Sequence, residues 1–507
     1  MERNDLRVLR VNPADNVAVA LSDLSQGMAC PVEGGEPGQT VALMSDIPFG
    51  HKAALRDIAE GENIIKYGYP IGHAVRDIKA GEHIHTHNLK TNLEGLLDYT
   101  YEPNTEALDA FKGEKEEAFF EGYVREDGRV GIRNEIWIIP TVGCVNDTAK
   151  KLADMANKEF QMPGFDGVYA YGHNMGCSQL TEDQARTQKL LAGLVNHPNA
   201  SGVLVLSLGC ENNNLDVFKP VLGDIDPDRV KFLVTQDVED EYEEGLKLIG
   251  ELAERAGKLK RETVPASKLV VGFKCGGSDA FSGITANPLC GRVNDKIVRC
   301  GGSTVLTEVP EMFGAERILM SRAVSEDVFR QEVELINNFK EYFIRYGQTI
   351  YENPSPGNKK GGISSLEEKS LGCIQKGGMA PVVGVCDYGE QLCKNGLNLL
   401  IGPGNDQVSC TSMTASGCQM ILFTTGRGNP FGAPAPTLKL STNSRLGQRK
   451  KNWIDYNAGV LLEGKSFEEA TEELFRLILD IASGRAKAKN EENGYRDISV
   501  FRDGVIL

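Results

Sequence analysis

Along the first 95 residues, apolar and polar positions alternate over short runs, such as "NVAVALSDL" from Asn16 and "NIIKYGYPIG" from Asn63. A period of two in runs this short predicts half-buried strands. Glycine-ended turns at this density predict a compact all-β module over 1–95. The turns themselves repeat, as "SDLSQG", "RDIAEG" and "RDIKAG", starting at Ser22, Arg56 and Arg76. The polar stretch "DYTYEPNTEALDAFKGEKEE" shows little period, and 96–116 reads as a linker. Beyond it the period lengthens. Amphipathic stretches such as "DTAKKLADMANKEF", "TEDQARTQKLLAGLVNH" and "DEYEEGLKLIGELAERAGKLKRET" alternate with continuous apolar runs. That texture predicts strand–helix units with right-handed crossovers and a parallel sheet over 117–262. Thr181 and Gln184 have the spacing of a helix capping box. The runs "STVLTEV", "LNLLIGPG" and "QMILFTTG" predict a second α/β domain over 263–507. Its closing helix, "SFEEATEELFRLILDIASG", has Ser466 and Glu469 as capping box and Gly484 as stop. The fold class is multidomain α/β, with a small all-β domain in front.

Composition narrows the function. A net charge of −16 over 507 residues disfavours nucleic acid and anionic membranes as partners. No apolar run is long enough to span a bilayer, and "MERNDLRVLRVNPADN" lacks a signal-peptide core, so a cytoplasmic protein is expected. Twelve cysteines in that setting read as thiols or metal ligands, not disulfides. Of seven histidines, the last is His197. Proton transfer in the C-terminal half therefore falls to Asp, Glu, Lys or Tyr.

Four apolar runs end on or beside a cysteine, at Cys144, Cys177, Cys210 and Cys275, the first three 33 residues apart. Loops at the carboxyl ends of parallel strands converge, so residues distant in sequence meet there. The expectation is one site made from Cys144, His173, Cys177, Cys210, Glu211 and Cys275, holding a divalent transition metal with open positions. Each cysteine alone reads equally as a small buried hydrophobe. No CxxC pair occurs, which argues against a zinc ribbon. In "GEHIHTHN", His83, His85 and His87 alternate and share one face of a strand, a second candidate metal site or a solvated histidine face. "IGPGNDQ" and "TTGRGNPFG" lack the spacing of a dinucleotide loop, so NAD is not expected.

Long, non-repetitive stretches carry a resemblance. "GHKAALRDI", "IKYGYPIGHA", "GEHIHTHN", "VGIRNEIWIIPTVGCVN", "LGCENN", "CGGSDAFSGITANP", "TEVPEMFGAE", "IYENPSPGNKKGGISSLEEKSLGC", "GPGND" and "TGRGNPFG" are similar to the altronate/galactarate dehydratase family of sugar-acid hydro-lyases. The resemblance implies a β-clip (SAF-like) N-terminal domain, a middle domain used in homodimerisation, and a C-terminal Rossmann-variant domain holding a metal. It implies dependence on ferrous iron, with manganese as substitute, and no NAD or PLP. An iron–sulfur centre stays open given the cysteines. Its chemistry is loss of the C2 proton and C3 hydroxyl of a six-carbon monocarboxylate such as altronate, or of a dicarboxylate such as galactarate. For that reaction the candidate acid/base residues are Glu308, Asp279, Lys359 and His173. Arg133, Asn134, Thr285, Asn287, Asn405, Asp406 and Arg427 are the candidate substrate contacts. A nicotinamide-dependent sugar-acid dehydrogenase and a non-catalytic sugar-acid binding protein are the rival readings.

Overall fold

A computed structural model describes residues 6–113, 115–392 and 394–504. The N-terminal residues form two small sheets. One runs in the order Thr40–Ala42, Ala29–Glu33, Val8–Leu9, Val17–Ala20, Lys52–Ala54, His83–Ile84; the other is Asn63–Lys66, Tyr69–Ala74, Leu89–Lys90. The repeated turns pair with one another. Ile58 bridges Ile78, and each turn's aspartate accepts from the other turn's backbone, Asp77 from Glu60 N–H at 2.9 Å and Asp57 from Ala80 N–H at 3.0 Å. A fourth copy, "SDIPFG" at 45–50, pairs in the same way with "SDLSQG": Leu24 bridges Ile47, and Asp46 accepts from Gln26 N–H at 2.8 Å. Each turn is thus half of a reciprocal clamp.

The stretch expected as a bare linker carries a short helix, Thr105–Phe111, capped by Asn104 and without a buried residue. A helix that buries nothing shows no apolar period. The segment is nonetheless pinned: Tyr99 hydroxyl donates to Glu316, and Asn104 N–H to Ser321 O at 2.8 Å.

The middle residues build a four-stranded parallel sheet in the order Val168–Ala170, Glu135–Pro140, Ala200–Ser207, Val230–Val234. Every residue of Glu135–Pro140 is buried, and its two faces feed two cores. Trp137 and Ile139 pack with Leu190 and Leu194, while Ile136 and Ile138 pack with Leu152 and Leu252. The helix Thr181–Val195 does not form the expected capping box: Leu180 is its cap residue and Gln184 Nε2 donates instead to Asn212 O at 3.0 Å. That side chain ties two loops together, a use local spacing does not reveal.

The C-terminal sheet is seven-stranded and parallel throughout, in the order Val382–Cys386, Gly396–Leu400, Ser303–Leu306, Val270–Cys275, Met420–Thr425, Thr437–Ser441, Tyr456–Asn457. Chain direction across the sheet reverses on either side of Val270–Cys275, so loops diverge there and leave a crevice at its carboxyl end. The helix Phe467–Ala482 has the Ser466/Glu469 capping box that its sequence predicts. A small antiparallel sheet joins the domains, because Phe119–Val124 pairs with Glu262–Pro265. Among the described residues no helix is long and apolar enough to cross a membrane.

Candidate active site

Buried charges gather at that crevice. Lys274, one residue before the end of Val270–Cys275, pairs with Glu308 and, at 3.1 Å, with Asp406. Glu308 follows Ser303–Leu306; its second oxygen accepts from Lys376 Nζ and from Cys275 N–H, both at 3.1 Å. One turn later Glu311 takes Lys369 at 2.9 Å and the Cys373 thiol at 3.1 Å. Lys369 also donates to the side-chain oxygens of Asn353 and Asn358, at 3.0 and 3.2 Å. Three ammonium groups therefore face two carboxylates away from water, Glu308 and Glu311, and a third, Asp406, at its edge; each buried charge is worth far more than at the surface.

Environment separates the acids. Burial pushes the Glu308 carboxyl up, outweighing Lys274 and Lys376. Burial also lifts Asp279, to about 6, although Thr442 and Asn443 donate to it at 2.8 and 3.0 Å. For Glu311, burial is outweighed by Lys369, Lys274 and Lys376, which hold it down at about 2. Its neighbour Cys373 and the Lys376 ammonium keep the Cys275 thiol well below its ordinary range. Glu308 also has a left-handed backbone, φ 69°, which costs a non-glycine residue about 1–3 kcal/mol. Strain of that kind persists where the surroundings over-determine a residue.

Solvent reaches the cluster through Asp406, whose side chain is 30% exposed. Beside that opening Asn405 caps the helix Asp406–Ala415, and exposed Arg427 lies next to Gly277; Lys359 is also exposed, its carbonyl facing His85. The walls are glycine for lack of space: a Cβ on Gly426 would lie 2.2 Å from the Asp279 carboxyl carbon, and one on Gly276 2.6 Å from Asp406 Oδ1. Asn287 is close by, its amide donating to Gly372 O at 2.9 Å and lying 3.9 Å from Cys275 Sγ. Thr285 is spent on backbone, its hydroxyl donating to Thr442 O at 2.7 Å with Phe281 O also 3.0 Å away.

The N-terminal module closes one side. Lys52 and Lys66 both reach Glu368 at 2.8 Å, and all three side chains are buried. Glu368 adjoins Lys369 in the helix Leu366–Cys373, so the clamp and the charge cluster share one element. Beside it His51 Nδ1 lies 2.9 Å from His83 Nε2; His51 Nε2 and His85 Nε2 meet Lys360 O and Lys359 O at 3.3 and 2.8 Å. Burial lowers all three imidazoles, His83 to about 3 and His85 to about 4. His87 is exposed, its ring centroid 5.3 Å from that of His83.

The single cysteine site expected from sequence divides. Cys144, Cys177 and Cys210 are exposed and follow three adjacent strands of the middle sheet. Their loops are tied together, Gly143 N–H donating to Met175 O and Asn213 N–H to Gly176 O, both at 3.0 Å. Cys275 does not join them. It lies in the other sheet, buried, with Sγ 2.6 Å from Ser278 Oγ. His173 has neither ring nitrogen free: Nε2 meets Pro140 O at 2.8 Å and Nδ1 accepts from Met175 N–H at 3.1 Å. Glu211 is saturated by the hydroxyls of Thr141 and Ser207 and by the N–H groups of Leu208 and Gly209. Two expected substrate contacts are structural. Arg133 is buried in a bidentate pair with Glu491 at 2.7 and 2.8 Å, and the Asn134 amide donates to Gly164 O and Ala256 O. A buried guanidinium must be paired, and here the C-terminal tail pairs it.

Sequence reasoning missed Lys274, Glu311, Lys369, Cys373, Lys376 and the clamp of Lys52, Lys66 and Glu368. A signal existed in "KLVVGFKC", a lysine inside an apolar strand, and in "SSLEEKSLGC", whose helix is buried at every position despite two acids and a lysine.

A ferrous or manganese ion in the C-terminal crevice does not suit the residues as they stand. Glu308, Glu311 and Asp406 are each neutralised by a lysine, and a cation would have to displace it. Among the described residues no three histidine, cysteine or carboxylate side chains form a ready metal site.

Comparison with known proteins bears on this geometry. Residues 6–92 match the family described as Altronate/galactarate dehydratase SAF domain. Residues 122–257 match D-galactarate dehydratase/Altronate hydrolase, second domain, and 266–506 match D-galactarate/Altronate dehydratase, C-terminal. The altronate dehydratase of Escherichia coli (strain K12) is 48% identical over 503 residues, 99% of this chain and 100% of that one. That of Bacillus subtilis (strain 168) is 50% identical over 501 residues, covering 98% and 99%. The galactarate dehydratase (L-threo-forming) of E. coli is 35% identical over 522 residues, covering 98% and 97%.

Proposed function

The chain belongs to the altronate/galactarate dehydratase family, and on that premise we propose that it removes water from D-altronate, yielding 2-keto-3-deoxy-D-gluconate. Identities of 48% and 50% to two altronate enzymes, against 35% to the galactarate enzyme, favour the monocarboxylate. The observation that carries the chemistry is Glu308, held between Lys274 and Lys376 at the rim of a parallel sheet.

A proton beside a carboxylate is weakly acidic, so its removal needs both a base and a counter-charge for the enediolate. Glu308, its carboxyl lifted by burial, takes the proton from C2. The C–H electrons pass into the enediolate, opposite the ammonium groups of Lys274 and Lys376. These are already oriented, so little reorganisation accompanies the reaction. The C3–O bond then breaks and the leaving hydroxide takes a proton from Asp279, which burial keeps partly protonated near neutrality. The enol tautomerises to the 2-keto acid. Arg427 and Lys359, both exposed, hold the substrate carboxylate.

We further infer that the C-terminal domain is a Rossmann variant, its first strand central and the crevice at its carboxyl end. Homodimerisation through the middle domain is part of the same proposal; Val217 and Val221, 43% and 41% exposed at i and i+4 of the helix Leu215–Leu222, are its supporting face. The test of function is 2-keto acid formation from D-altronate by parent and Glu308→Gln. Turnover is expected to fall about 100-fold or more with the far-UV spectrum unchanged. A variant within threefold of the parent would remove Glu308 from the mechanism.

A further inference from the structure

Positive charge is incompletely cancelled at the amino edge of the middle sheet. The guanidiniums of Arg125, Arg129, Arg229 and Arg255 line one cavity there, of ≈ 180 Å³. Arg229 immediately precedes the strand Val230–Val234, so the cavity lies at the opposite end of the sheet from the exposed thiols. Arg129 is paired with Asp127 at 2.6 Å, and Arg255 with Glu126 and Asp226, both at 2.8 Å. Arg125 and Arg229 form no ion pair among the described residues, and their partners are neutral. Arg125 donates to Pro198 O and Arg133 O, both at 2.8 Å, and makes a longer contact of 3.4 Å to Asn134. Arg229 donates to His197 O at 2.9 Å and to Ala200 O at 3.1 and 3.3 Å. Its Nη1 has no protein partner and keeps contact with solvent. A carbonyl satisfies an N–H without cancelling the charge, and a guanidinium does not shed its proton to escape burial. The crowding of charge shows in both groups. Burial, with the charges of Arg229 and Arg255, draws Arg125 down to about 9; burial, with that of Arg129, draws Arg229 down to about 10. The remaining acid of the lining, Asp224, is exposed and pairs with none of the four.

We propose that Arg125 and Arg229 bind a dianionic phosphoryl group in this cavity, carried by free phosphate or by a small phosphate monoester. Two uncancelled positive charges call for two negative ones, and the planar fork of a guanidinium matches phosphate oxygens pairwise. The chain as a whole carries a net charge of −16, so it has no general attraction for anions and only a local excess of positive charge can hold one. The site also touches a domain junction. Arg129 donates to Gln391 and Lys268 Nζ to Gly128 O, each at 3.1 Å, so the loop between Arg125 and Arg129 is tied to the C-terminal domain. A phosphoryl group there steadies that junction without occupying the substrate's place in the crevice.

The experiment is a calorimetric titration of the full-length protein with inorganic phosphate, in a low-salt zwitterionic buffer and without altronate. Its outcome is thereby independent of the dehydration reading. One phosphate per chain is expected, and the melting temperature should rise with phosphate, as binding to the folded state alone requires. Arg229→Gln should weaken binding about tenfold or more, since it removes the group with an unpaired edge. Asp224→Asn, which takes an exposed negative charge off the lining, should strengthen it, and Arg56→Gln in the N-terminal module should leave it unchanged. Glycerol 3-phosphate as second titrant separates the sources: tighter binding than phosphate assigns an ester, weaker binding assigns the free ion. Gluconate, a monocarboxylate, should bind about tenfold more weakly than phosphate or worse. In case Arg229→Gln misfolds, the surface change Asp224→Asn carries the test. No saturable heat, equal affinity for gluconate and phosphate, or an affinity unmoved in folded Arg229→Gln or in Asp224→Asn would each overturn the proposal.

Discussion

Replacing Glu368 by glutamine isolates the contact between the N-terminal module and the body of the protein. The carboxylate accepts from Lys52 at 2.8 and 3.1 Å, Lys66 at 2.8 Å and Ser364 N–H at 2.8 Å, with no route to water. Removing one member of a buried charge pair costs about 3–5 kcal/mol, because the charge left behind stays desolvated. Lys52, which burial already lowers to about 8, would release its proton once Glu368 is gone, so the cost lies near 3 kcal/mol at the low end of about 3–5. At about 1.4 kcal/mol per tenfold, this is roughly a 100-fold rise in the open fraction of the seam. Hydrogen exchange of the amides in Lys52–Ala54 and Leu366–Cys373 should quicken by that factor. Converting all three residues to methionine should restore most of the protection, since a well-packed apolar triad avoids the desolvation that the charges incur. The pH dependence has a definite sign. Burial, which would raise Glu368, is outweighed by Lys52 and Lys66, which hold it at about 2. Its stabilisation is therefore complete above the ordinary glutamate value of about 4.3 and fades as pH falls toward the folded value. Glu368→Gln should lack that acid dependence. Exchange in Glu368→Gln within threefold of the parent would show that the charges do not hold the seam.

Two further outcomes separate catalytic from structural residues. Since Glu308 must be ionised to accept a proton, turnover of altronate should rise with pH along a limb whose midpoint lies near the value of about 7 to which burial lifts it, and Glu308→Asp should move that midpoint; a rate flat from pH 5 to 8 would exclude it. Arg133→Ala should lower the urea unfolding free energy by about 3 kcal/mol, the low end of the cost of breaking a buried pair, because Arg496 still faces Glu491 at 3.7 Å. Its KM for altronate should not change, and a tenfold rise would restore Arg133 as a substrate contact.

Much of the architecture is legible from periodicity. The short alternating runs, the repeated turns, the strand–helix units and the Ser466/Glu469 cap follow from spacing over a few residues, where backbone geometry alone fixes which side chains share a face. The three exposed thiols of the middle sheet are legible for the same reason, since a spacing of 33 residues returns each Gly-Cys pair to the same end of neighbouring strands.

The charge cluster is a product of tertiary structure. Lys274 and Glu308 meet because Val270–Cys275 and Ser303–Leu306 are neighbours, and Lys376 arrives only when Ile374–Gly377 folds back across them. Lys52 and Glu368 are 316 residues apart. Local pattern assigns a lysine or glutamate to solvent because burying one alone costs too much. Whether a partner of opposite sign waits in the interior depends on strand order and domain docking, which no window of sequence contains. The same limit explains Arg133: its residue type fits a carboxylate ligand, and only the folded tail shows that the carboxylate is Glu491.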